Sequence, residues 1–104
     1  MKNFRTYQLA LSLYQECQKI KIKNAVIRNQ FERASLSIVL NLAEGSGRLS
    51  VNDKKRFYAI ALGSLKETQC LLLLLNEQGL LTQSNHLNAM LINLIKSPGS
   101  FNPD

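Results

Sequence analysis

Apolar residues recur at helical spacing along nearly the whole chain. Between residues 4 and 22, Phe4, Tyr7, Leu11 and Tyr14 fall on one stripe, with Ala10, Leu13, Cys17 and Ile20 beside it. Asn3 is placed to cap this helix, and Lys19, Lys21 and Lys23 close it, where cations meet the negative pole of the helix dipole. A second helix is predicted over 25–44, with Ile27, Phe31, Ala34, Ile38 and Leu42 inward and Gly45 as a left-handed terminator. Ser50 with Asp53 resembles a capping box that opens a third helix over 51–78, stopped by Gly79. Thr82 or Ser84 caps a fourth over 83–96, ended by Pro98-Gly99, which leaves 98–104 as a flexible tail. There is no strand-like alternation, internal repeat or interdomain linker. The pattern predicts an all-α, antiparallel, up-and-down four-helix bundle occupying residues 1–97 as one domain, because short connections cannot cross a bundle's length.

Three of these helices carry more oil than one stripe can hide. Consecutive residues advance about 100° around a helix, so Leu71 to Leu75 cover the full circumference of the third. Leu36, Ile38, Val39, Leu40, Leu42 and Ala43 nearly encircle the second, and Leu87, Met90, Leu91, Ile92, Leu94 and Ile95 the fourth. Burying one such side chain is worth roughly 1.5–3 kcal/mol, so several left in water drive association. A closed homo-oligomer is therefore expected, with Leu36, Val39, Leu40, Leu71, Leu73 and Leu74 at its interface.

Charge narrows the class of partner. The net charge is +6 over 104 residues, which favours polyanions. Residues 1–66 hold 12 of the 13 Lys and Arg against Glu16, Glu32, Glu44 and Asp53, for a net +8, and the remainder is net −2. In the expected topology Lys2, Arg5, Arg48, Lys54, Lys55 and Arg56 gather at one end of the bundle, and Lys19, Lys21, Lys23 and Arg28 at the other. The N-terminal Met1-Lys2-Asn3-Phe4 lacks a signal peptide's apolar run, and Cys70 to Leu75 falls short of the about 18 residues of a membrane span. The expected setting is cytoplasmic, with no membrane role, and Cys17 and Cys70 are expected to be reduced core thiols.

Catalytic chemistry finds no foothold in the pattern. The single histidine, His86, has no Cys, Asp or Glu at metal-ligand spacing, and no nucleophile–base set can be built around it. Gly45-Ser46-Gly47-Arg48 lacks the Lys-Ser/Thr ending of a phosphate loop and follows a helix rather than a strand, so it reads as a helix-ending turn. Glu44 opposes the dipole at its helix end and needs a cation, Arg48 or Arg56. Ser37, Asn41 and Ser64 fall on or beside inward faces, as groups that bridge helices by hydrogen bonds. Tyr7, Tyr14 and Tyr58 sit within apolar stripes as core residues. No catalytic residue, metal or cofactor is expected.

The stretch from Gln30 to Arg48, QFERASLSIVLNLAEGSGR, resembles the second-helix signature of the bacterial four-helix proteins encoded by intervening sequences of 23S rRNA genes. Phe57 to Thr68, FYAIALGSLKET, resembles the third helix of the same family. The resemblance covers most of residues 4–82 and implies a four-helix protomer forming a ring, commonly a pentamer. One branch is similar to the accessory variability protein of diversity-generating retroelements, which implies a basic oligomer binding nucleic acid and a reverse transcriptase. Arg33 and Arg48 match family positions, whereas Glu32 stands where many relatives carry a second Arg.

The function expected is a non-enzymatic, homo-oligomeric helical protein that binds RNA or DNA, or a nucleoprotein partner such as a reverse transcriptase. Lys19, Lys21, Lys23, Arg28, Arg33, Arg48, Lys54, Lys55 and Arg56 are the candidate contacts, made to phosphates without base specificity. The rival is a scaffold oligomer for protein partners, its charge serving solubility.

Overall fold

Most of the helix boundaries can be read from their terminal hydrogen bonds. The structure, a computed structural model, describes residues 4–98. Four helices are present: α1 (Arg5–Cys17), α2 (Ala25–Ser46), α3 (Val51–Leu74) and α4 (Gln78–Lys96), with no strand among the described residues. They form an all-α bundle of 42 × 22 × 21 Å in which α1 packs on α2, α2 on α3, α3 on α4, and α4 back on α1. Asn3, Lys2 and all of the expected tail except Pro98 lie outside the described residues.

Helix α1 stops at Cys17, five residues before its expected end. Its last amides tighten to the third residue back, Lys19 N donating to Glu16 O and Ile20 N to Cys17 O. From there burial alternates: Ile20 and Ile22 are half-buried against the core, whereas Lys21 and Lys23 are exposed. The Lys-Ile-Lys-Ile-Lys run thus obeys a period of two, and its apolar members bridge the gap to α2. Asn24 caps α2 by accepting from Ile27 N at 3.0 Å.

Gly45 does not end α2 in a left-handed turn; no described glycine has positive φ. It lies inside the helix and is buried, where an added Cβ would meet the Tyr58 ring at 2.7 Å. The terminal carbonyls are served from α3: Lys54 Nζ donates to Ser46 O at 3.1 Å and Gly45 O at 3.4 Å. Ser50 caps α3 as expected, accepting from Asp53 N at 3.0 Å.

The stop of α3 is Asn76, not Gly79. Asn76 takes φ 59°, and Glu77 N donates to Leu72 O while Asn76 N donates to Leu73 O, the paired bonds of a Schellman end. Asparagine tolerates this conformation, which frees Gly79 to lie within α4. Neither Thr82 nor Ser84 caps α4; both point their hydroxyls back at carbonyls within it, Gln78 O and Leu81 O. By length and composition α3 could cross a membrane. Its buried residues Tyr58, Ala61, Leu65, Thr68 and Leu72 lie on one stripe, the pattern of a helix packed in a bundle.

The core contains Phe4, Leu13, Phe31, Ile38, Leu42, Tyr58, Leu65, Leu72, Leu87 and Leu91. Between α2 and α3, Ser37 and Ser64 share a 2.7 Å hydrogen bond, the bridging expected of them, whereas Asn41 Nδ2 donates to Ser37 O and Oγ within α2 and bridges no helices. The surplus of apolar side chains divides unevenly. Leu40, Leu73 and Leu74 stand in water, 56%, 63% and 69% exposed. Val39, expected at an interface, is instead buried within the chain at 6%, and Leu36 and Leu71 are half-buried. Val39 and Leu40 are adjacent, and the step of about 100° between them carries the side chain from core to solvent. The apolar positions of α4 are absorbed: Leu87, Leu91 and Leu94 are buried and Met90, Ile92 and Ile95 half-buried.

Candidate nucleic-acid interface

The end of α2, the 47–50 turn and the start of α3 bring four of the candidate cations together. Arg48 and Arg56 both place their guanidinium carbons over the Phe57 ring, 4.7 and 4.6 Å from its centroid. The ring's negative face attracts both, and this holds two like charges near one another. Each also faces a carboxylate at 3.7 Å, Arg48 with Glu44 and Arg56 with Asp53. The Arg48–Glu44 pair supplies the cation that Glu44 needs at its helix end. Arg48 Nε is buried with no hydrogen-bond partner among the described residues. Lys55 is exposed. Phe4 at the start of α1 meets Tyr58 edge-on, centroids 6.3 Å apart, which brings exposed Arg5 to the same end.

Lys54 belongs to this group by position and also bonds to the end of α2. Its ammonium donates to the last carbonyls of α2, so it helps hold the turn in shape while keeping its positive charge.

A second group surrounds the link between α1 and α2. Lys21 and Lys23 are exposed. Lys19 pairs with Glu16 at 2.6 Å, and Arg28 Nη1 donates to Ile22 O at 2.9 Å, which ties the link to α2. A half-open cleft here is lined by Cys17, Ile20, Ile22, Arg28, Phe31 and Glu32. Arg33 joins neither group. It lies on the α2–α3 seam, paired with Glu67 and donating to Gln30 Oε1.

Of the two thiols, Cys17 is buried, and Cys70, expected in the core, is exposed. Burial, with Glu16 and Glu77 adding to it, pushes the Cys17 thiol up to about 12, so it stays protonated and unreactive near neutrality. His86 is exposed on α4. Among the described residues no group of three His, Cys, Asp or Glu is placed to hold a metal ion.

Phe57 is the residue that the sequence pattern did not single out. Its signal was present: an aromatic directly after Lys54-Lys55-Arg56, at the opening of a capped helix.

With this arrangement in view, the comparison of the chain with family models is decisive for kinship. The model of the 23S rRNA-intervening sequence protein family matches residues 2–97. The chain belongs to that family. Among curated proteins and among solved structures nothing matches it. The four-helix architecture agrees with the fold that the Gln30–Arg48 and Phe57–Thr68 segments implied.

Proposed function

We propose that this family member is a non-enzymatic, cytoplasmic protein whose antiparallel, up-and-down bundle associates with copies of itself and binds nucleic acid through its basic ends. The observation that carries the reading is the cluster at the α2–α3 turn. Arg48 and Arg56 rest on Phe57, with Lys55 exposed beside them at the positive pole of a 24-residue helix. Lys21 and Lys23 supply a second exposed group at the α1–α2 link. The family's name ties its members to ribosomal RNA genes, which makes nucleic acid, or a nucleoprotein partner such as a reverse transcriptase, the natural counterpart. Contacts of this kind neutralise phosphates and carry no base specificity. Exposed Leu40, Leu73 and Leu74 would be covered by neighbouring copies, in a pentamer by analogy with the family, and the ring would pool the cations of several chains.

Titration against RNA and DNA from low to moderate salt tests the reading. Each phosphate neutralised on duplex DNA steepens the salt dependence by about 0.9 in log–log slope. The wild type is expected to bind at low salt with such a slope, and the Lys55→Glu/Arg56→Glu variant to bind more weakly and with a shallower one. Absence of binding at low salt would leave the scaffold reading, which the exposed leucines also favour, with protein partners in place of nucleic acid.

A further inference from the structure

The α2–α3 turn carries a side chain that the fold does not use. Leu49 is 100% exposed, and Val51 beside it is 52% exposed. The turn that holds Leu49 is braced. Arg48 N donates to Gly45 O, Ser50 Oγ accepts from Asp53 N, and Lys54 Nζ reaches back to Gly45 O and Ser46 O. Leu49 is therefore an apolar point mounted on a stiff support, projecting from the molecule rather than lining a groove.

What surrounds it restricts the partner. Arg48 precedes it, and Lys55 and Arg56 follow within the first turns of α3. Two of these three guanidinium or ammonium groups are held in place by Phe57. A projecting leucine needs a gap to enter, and the cations gathered near it need anions beside that gap. An opened base step of a duplex offers both, because parting two stacked bases leaves an apolar slot between phosphates. A lipid surface would match the charges, but one leucine and a half-exposed valine are slender anchors there.

Resting on the nucleic-acid reading above, we propose that the α2–α3 tip is a wedge: Leu49 enters a base step of duplex nucleic acid while Arg48, Lys55 and Arg56 take the flanking phosphates. The phosphate contacts supply affinity, and the leucine supplies local unstacking and a bend. Flexible pyrimidine–purine steps are the preferred sites, since they part most easily.

The test uses the full chain with a duplex carrying 2-aminopurine at a central TA step and a donor–acceptor dye pair at its ends. At low salt the wild type is expected to raise the 2-aminopurine fluorescence and shorten the end-to-end distance. Leu49→Ala, a change at an exposed turn position, is expected to keep its helical circular dichroism and bind with less than about a tenfold loss, because phosphates dominate affinity. It is expected to lose both optical signals. An undiminished fluorescence rise with Leu49→Ala overturns the wedge and leaves the nucleic-acid reading standing. Failure of the wild type to bind any duplex at low salt overturns both. A Leu49→Ala defect seen on vesicles of anionic phospholipid, with duplex signals unchanged, overturns the wedge in favour of a lipid surface.

Discussion

A Cβ on Gly45 would lie 2.7 Å from Cε1 and 2.9 Å from Cδ1 of Tyr58, and 3.1 Å from the Phe57 Cβ. The glycine is what lets α2 approach α3 closely just before the basic turn. Gly45→Ala must displace a buried ring, at a cost of about 1–3 kcal/mol for overpacking, against about 0.5–1 kcal/mol returned by removing a helical glycine. A net loss of stability is expected in urea unfolding. Gly63 gives the contrast: it lies within α3 with nothing within 4 Å of a Cβ. Gly63→Ala is expected to raise stability by about 0.5–1 kcal/mol. Equal effects at the two glycines would refute the account.

Lys54 and Lys55 are neighbours with different work, and substitution separates them. Lys54→Met removes the cation from the end of α2 and is expected to cost about 0.3–1 kcal/mol of stability. Lys55→Met is expected to leave stability within about 0.5 kcal/mol and to weaken polyanion binding. Paired denaturation and binding curves check both. A binding defect confined to Lys54→Met would reverse these assignments.

Glu44 and Asp53 each sit 3.7 Å from an arginine of the basic cluster, where they compete with any phosphate. Glu44→Gln is expected to tighten binding to RNA or DNA at low salt, an effect that fades as salt screens the charge. Unchanged affinity at every salt concentration would remove Arg48 from the contact surface.

Leu40 and Leu42 lie two residues apart on α2, one in water and one fully buried. Leu40→Glu is expected to leave the protomer folded and reduce the mass seen by light scattering. Leu42→Ala is expected to cost about 2–5 kcal/mol by opening a cavity. A wild type that stays monomeric at micromolar concentration would refute the proposed self-association.

Cys17 ties stability to pH. Its thiol is pushed from 9.0 to about 12, first by burial and then by Glu16 and Glu77, so the folded chain holds this proton to higher pH than the unfolded chain does. The contribution is complete below about pH 9 and is lost as pH rises toward 12. The stability difference between wild type and Cys17→Ala is therefore expected to shrink between about pH 9 and pH 11 in urea unfolding. A constant difference would deny the linkage. Thiol reagents should label exposed Cys70 at once and reach Cys17 only on unfolding.

How far a feature could be read ahead depended on how local its cause is. The Ser50 cap of α3 and the Glu44–Arg48 pair follow from spacings of three and four residues, so both were legible. The end of α3 was misplaced because Asn76 served where a glycine was sought, and the end of α1 because Ile20 and Ile22 fit a helical stripe as well as an alternating link. The basic cluster was legible as charge. Its organisation around Phe57 was not, since that depends on how the turn folds back on α3.

The chain's own periodicity determined four helices, their approximate spans and the placement of positive charge in the first two-thirds, because helix formation answers to residues three and four apart. Only the tertiary structure decided that Val39 is core and Leu40 is surface, that Cys70 faces water, that Gly45 makes room for Tyr58, and that Lys54 reaches back to the end of α2. Each of these turns on which side of a helix meets a neighbour distant in sequence. A step of about 100° along the helix, invisible in composition, exchanges oil for water.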